Sequence, residues 1–195
     1  MNLGNCVKPL ARKSQSRRWG GGYLHVLPLL LGIILSCVGI REGPPFEASR
    51  VIESVPFYPQ KKLQCGPASL AGVLNYWGLS ISPEEIATEI YSRSARGTLD
   101  TDMLLFAERN GLKAYHYRGS LEDIRTNIDS GHPLIVLVDY GFWIYQENHF
   151  MVIVGYDDDR VIANSGKHRL RSVPLGGFLR SWERTQFWTL LITPE

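Results

Sequence analysis

The apolar positions change period partway along the chain. Leu70, Val73, Leu74 and Trp77 stand at i, i+3, i+4 and i+7, one face of a helix. That helix starts near Cys65, carries Pro67 in its first turn and stops at Gly78. Ser82-Pro83-Glu84-Glu85 supplies an N-cap, a proline and two acids, so a second short helix runs to about Tyr91. Residues 101–110 form a third, closed by Gly111, and 113–117 read as a strand. Ser120-Leu121-Glu122-Asp123 opens a fourth helix that ends at Gly131. Beyond it the pattern turns extended. Residues 133–138 are a continuous apolar run, the mark of a strand buried on both faces. Residues 149–156 are another, Asp157-Asp158-Asp159 turns it, and 161–164 return as its hairpin partner. Residues 186–192 are the last strand. Helices first and an antiparallel sheet after them predict an α+β fold.

The segment ahead of this body has a different character. Up to residue 36 it holds Lys8, Arg12, Lys13, Arg17 and Arg18 and no acid, while the rest of the chain is net acidic. Residues 26–35 then make an apolar core, short for the roughly 20 residues a bilayer span needs. A basic start, an apolar core and a small residue before a break describe a secretory signal. Ile34-Leu35-Ser36-Cys37 resembles a bacterial lipobox, in which the cysteine is acylated and becomes the new N-terminus. Residues 1–37 are therefore expected to be a lipoprotein-type signal with Cys37 as the lipidation site. Residues 38–50, around Gly43-Pro44-Pro45, are a flexible tether, and 51–195 are the folded domain. An uncleaved anchor helix over about 23–40 and ordinary cleavage are the alternatives. Val38, by resemblance to Gram-negative lipoproteins, implies a periplasm-facing protein of the cell envelope, with the outer membrane favoured.

With 195 residues and 44% apolar content, the chain is one domain plus an appendage, and disorder is excluded. A net charge of +2 does not suit a nucleic-acid partner. Three cysteines make no disulfide framework. Cys6 falls in the signal and Cys37 is assigned to lipid, which leaves Cys65 as the free thiol of the mature chain. A thiol nucleophile must ionise, and the head of a helix favours the thiolate, so Cys65 is expected to have a lowered pKa. The bland alternative is a small buried apolar cysteine. His149 opens an apolar strand, which would hold it rigidly at a cleft edge. His116 sits among tyrosines, His132 in a Gly-His-Pro turn and His168 in a basic loop, all poorer candidates for a base. Cysteine and histidine far apart in sequence make a nucleophile–base pair if the fold joins them.

Gln60 and Cys65-Gly66-Pro67-Ala68-Ser69-Leu70, followed by His149-Phe150-Met151-Val152-Ile153-Val154-Gly155-Tyr156, resemble the bacteriocin-processing, double-glycine-leader cysteine peptidases. The likeness is to a stand-alone lipoprotein branch of that family and covers roughly 51–195. It implies a papain-like fold, with a helical first half packed on the sheet of the second half. It also implies Cys65 as nucleophile, His149 as general base, Gln60 as an oxyanion-hole amide and Asn164 as the group that orients the histidine. Two departures stand out. Gln60 lies five residues before Cys65 where exporter-fused members show six, and Asn164-Ser165 replaces the usual Asp-Pro. A tight hairpin centred on Asp158 would put Asn164 opposite about Ile153, so Ser165 or an Asp of the turn is an alternative third member.

Other chemistries lack their motifs. There is no His-Glu-x-x-His and no paired Cys-x-x-Cys, so no metal is expected. Neither a P-loop nor a dinucleotide fingerprint is present, so no cofactor is expected. The expected partners are a peptide or protein substrate and the membrane, the latter through the lipid anchor. Phe142-Trp143-Ile144-Tyr145 precedes His149, and four large side chains in a row cannot all face inward. Trp143 and Tyr145 are thus candidates to wall the substrate cleft. The expected activity is peptide-bond hydrolysis. An inactive peptide-binding module and a transamidating acyl transferase on the same residues are the competing readings.

Overall fold

The computed structural model describes residues 50–61, 63–92 and 97–195. The expected signal, Cys37 and nearly all of the tether lie outside the described residues. The elements are β1 (Arg50–Val51), α1 (Cys65–Tyr76), α2 (Pro83–Ile90), β2 (Tyr91–Ser92), β3 (Gly97–Thr98), α3 (Asp100–Arg109) and β4 (Lys113–Arg118). There follow α4 (Leu121–Asp129), β5 (Leu134–Asp139), β6 (Asn148–Tyr156), β7 (Arg160–Ser165), β8 (His168–Pro174), α5 (Leu175–Glu183) and β9 (Trp188–Thr193).

The expected helices form with their boundaries within two residues. At α2 the Ser82 hydroxyl accepts from the Glu85 amide while the Glu85 carboxylate accepts from the Ser82 amide, a complete capping box. Tyr91, expected to end that helix, instead begins β2, which pairs with β3. His168 lies in β8, not in a loop, and α5 is an element the sequence reading did not assign. The last strand begins at Trp188 because Gln186 and Phe187 adopt positive φ of 57° and 61°, which no strand continues through.

An antiparallel sheet of seven strands forms the centre, in the order β4-β9-β5-β6-β7-β8, with β1 paired to the end of β6. Gly155 is required at that pairing. A Cβ there would come within 2.5 Å of the Arg50 carbonyl oxygen, so only a residue without one lets β1 approach.

Both faces of the sheet are covered. Leu70, Val73 and Leu74 of α1, with Ile86 and Phe106, pack on Ile135, Phe150, Val152 and Leu190. On the other face Ile124 and Ile128 of α4 and Phe178 and Trp182 of α5 pack on Leu134, Val136, Met151 and Ile153. The core strand β5 is buried on both sides, as its unbroken apolar run implies. The helices are not confined to the first half of the chain: α1 to α3 cover one face, and α4 and α5 the other.

Candidate active site

Helix α1 carries the thiol at its head. Gln64 is the N-cap but makes no side-chain cap, Ala68 donates to the Gln64 carbonyl at 3.2 Å, and Pro67 has no N–H. The amides of Cys65 and Gly66 thus have no carbonyl partner within α1 and turn toward the Cys65 thiol. On the opposite side, β6 pairs with β7 only from Val152 onward, so the backbone ahead of it has a free edge. Gln60 and Cys65 occupy that edge. The Gln60 amide donates to the Phe150 carbonyl at 3.2 Å and to Ser69 Oγ at 3.3 Å. Its Oε1 accepts from the Gly166 amide at 2.9 Å, and the Gln60 backbone N–H donates to the Gly166 carbonyl at 2.8 Å.

Gln60, Cys65 and His149 line one cavity of about 730 Å³, together with Leu63, Thr98 and Gly166. The fold therefore joins a thiol and an imidazole that lie far apart in sequence. Burial pushes the Cys65 thiol above its ordinary 9.0, against the pull of the Phe150, Gly66 and Cys65 amides. That overturns the lowered pKa expected from the helix head alone. Burial also pulls His149 below its ordinary 6.5, and the nearby Arg171 charge adds to it. Between these values both groups are uncharged. Among the described residues no hydrogen bond joins Cys65 to His149.

At the third position the structure has Ser165, the stated alternative to Asn164. His149 Nε2 lies 3.0 Å from Ser165 Oγ. Asn164 does not reach it. Side chains alternate along a strand, and Ser165 shares the face of Ala163 and Met151, whereas Asn164 turns toward α1 and lies opposite Val152. Its Oδ1 accepts from the Leu170 amide at 3.0 Å. Ser165 also touches the Tyr140 phenol, which burial pushes above its ordinary 10.0, and the Tyr140 ring lies 5.7 Å from the His149 ring. Tyr140 and Arg171 are site neighbours that the sequence reading missed, because neither belongs to a local motif. Gln60 stands in the cavity wall, but Ser69 and Phe150 take both of its amide hydrogens. Trp143 and Tyr145 do not line the cavity. They are 82% and 76% exposed, on a loop whose other end, Gln146 and Glu147, forms the wall instead.

Gly66 is needed for packing. A Cβ there would meet the Thr98 Cβ at 2.7 Å, so β3 must shift to admit it. Gly66→Ala is expected to lower stability by about 1–3 kcal/mol. Thermal melts of Gly66→Ala, alone and with Thr98→Gly, check this: the double variant should recover most of the loss.

A thiol at a helix head and an imidazole on a strand thus line one cavity, the residue types of a nucleophile–base pair. The chain belongs to the Peptidase_C39-like family, whose profile matches residues 52–189. It is 32% identical over 108 residues to an uncharacterised protein of Methanothermobacter marburgensis, covering 55% of this chain and 68% of that one. A relative from Methanothermobacter thermautotrophicus is 33% identical over 52% of this chain and 63% of its own length. Among solved structures, a C39-like peptidase from Bacillus anthracis superposes with a TM-score of 0.66 at 18% identity, over 76% of this chain and 99% of that one. A double-glycine-motif protease from an AMS/PCAT transporter, in complex with its leader peptide, gives 0.57 at 26% identity, over 72% and 92%. The peptidase domain of Streptococcus ComA gives 0.61 at 19% identity, over 72% and 99%, and shares the fold.

Proposed function

We propose that the protein is an exported, membrane-anchored cysteine peptidase of a stand-alone branch of its family. One observation carries the peptidase reading: Cys65 at the head of α1 and His149 at the start of β6 share a cavity, and Ser165 lies within hydrogen-bond distance of Nε2 of that histidine. With Nε2 protonated and donating to Ser165, Nδ1 is the nitrogen left to take the thiol proton. Sulfur then attacks the peptide carbonyl carbon, and the Cys65 and Gly66 amides face the oxyanion. Collapse breaks the C–N bond as His149 returns the proton to the leaving amine. Water cleaves the thioester and restores the thiol. The leader peptide held by the 26%-identical relative supports a peptide substrate here. The basic start, apolar core and Cys37 of the sequence support export and lipidation, with the domain facing the periplasm.

A second reading has its own support. Both amide hydrogens of Gln60 are engaged, and no hydrogen bond links thiol to imidazole among the described residues. A peptide-binding module without turnover fits those facts. Hydrolysis of a peptide library by the full chain separates the two readings, because a module binds peptides and releases them intact.

The pH profile follows from the signs. His149 acts as base only when neutral, and its depressed pKa extends the neutral range some way below pH 6.5 before the imidazole protonates. The acid limb of kcat/KM should therefore lie below 6.5 and move to higher pH in Arg171→Ala, which removes the cation that disfavours imidazolium. A profile unmoved by Arg171→Ala would remove His149 from the role of base.

A further inference from the structure

The loop between β5 and β6 turns four consecutive large side chains outward. Phe142, Trp143, Ile144 and Tyr145 are 84%, 82%, 72% and 76% exposed. The loop is held from within. Asp139, 2% exposed, accepts from the Gly141 and Glu147 amides at 2.8 Å each and pairs with Arg184 at 2.9 Å. Arg184 also donates to the Gly141 carbonyl at 2.7 Å. At the tip, Trp143 adopts φ 56°, a left-handed conformation that Gly or Asn takes far more readily than a bulky residue. A turn needed only as a connection would not keep tryptophan there. The loop, held at its base, presents apolar surface to solvent.

The charge beside it is basic. Lys167, His168, Arg169 and Arg171, all exposed, lie in the β7–β8 hairpin, whose Gly166 lines the same cavity as Glu147. Glu147 is the exposed acid of the aromatic loop. Tryptophan and tyrosine favour the bilayer–water interface, where the ring is buried and the polar edge stays wet, and nearby cations favour anionic lipid. If Cys37 carries lipid, the segment from it to Arg50 spans at most about 45 Å, and because Arg50 lies opposite Tyr156, at the far end of β6 from this loop, the tether has to pass the length of that strand for the loop to reach the surface. We propose that residues 142–145 insert into the interface of an anionic phospholipid bilayer, with the basic β7–β8 hairpin against the headgroups, so that the cavity opens at the membrane surface. This rests on the anchor only for reach, and it holds whether or not the cavity is catalytic.

The test uses the full chain with vesicles of phosphatidylcholine, with or without phosphatidylglycerol, whose acyl chains are brominated near the headgroup. Bromine quenches tryptophan only at contact range. The wild type should lose a component of its emission that Trp143→Phe lacks, and that component should grow with phosphatidylglycerol. Equal quenching of the two proteins overturns the proposal. So does a raised KM for a soluble peptide in Trp143→Ala without vesicles, which would assign the loop to the peptide cleft. Flotation of Cys37→Ser reports the anchor separately: undiminished flotation removes the lipidation reading and leaves the loop to be judged by its own quenching.

Discussion

Cys65→Ala is expected to abolish peptide hydrolysis while leaving the domain folded. The loss should approach the roughly million-fold scale seen when a protease nucleophile is removed. The fold should survive because the thiol is a small group at the open end of α1, half-buried, and the core lies below it at Leu70, Val73 and Leu74. His149→Ala should cost nearly as much, and the double variant no more than either, since nucleophile and base act as one unit. Ser165→Ala should be milder, about tenfold, the worth of one hydrogen bond that orients the ring. Asn164→Ala should leave turnover per folded molecule unchanged, because its contact is to Leu170 and not to His149. Rates on a cleavable peptide, normalised to the folded fraction by thermal melts, decide this order. A wild type that cleaves nothing hands the cavity to the binding-module reading.

Asp139→Ala is expected to be the most destabilising single change outside the apolar core. The carboxylate is buried, yet two backbone amides and the Arg184 guanidinium hold its pKa below the ordinary 3.8 despite the burial that opposes ionisation. Removing one partner of a buried pair costs about 3–5 kcal/mol, and the lower end applies because Arg184 keeps 35% of its side chain in solvent. The pH dependence has a definite sign. A depressed folded pKa gives stability that is present above pH 3.8 and is lost as pH falls toward the folded value. Denaturant melts at neutral and acid pH test it: the gap between wild type and Asp139→Ala should narrow below pH 3.8. An equal gap at both pH values would mean that the charge contributes nothing. The same change should loosen residues 140–147 and so weaken vesicle binding as well.

Much of the fold was legible because its signals are local. The spacing of Leu70, Val73, Leu74 and Trp77, the Ser82–Glu85 box and the run at 133–138 each act within a few residues. Helix α5 carries conflicting local signals: Leu175, Phe178, Leu179 and Trp182 have helical spacing, but Gly176-Gly177 in the first turn disfavours a helix. Packing of Phe178 and Trp182 against β5 and β6 overrides that propensity. Strand β8 was hidden for a different reason. Its residues are mostly exposed, so no buried face imposes an apolar alternation on them.

The sequence by itself determined α1 to α4 and the central strands, the thiol at the head of α1 and the histidine at the start of β6, because capping, periodicity and turn chemistry depend only on near neighbours. Tertiary structure decided how those groups meet. An irregularity between Ile153 and Gly155 places Asn164 opposite Val152, and the two-residue period of β7 then sends Asn164 toward α1 and Ser165 to His149. A one-residue difference in register exchanges the two faces of a strand, and that register belongs to the assembled sheet. The ionisation of Cys65 was decided the same way. The helix head favours thiolate, but burial beside β6 opposes it more strongly and leaves the thiol neutral.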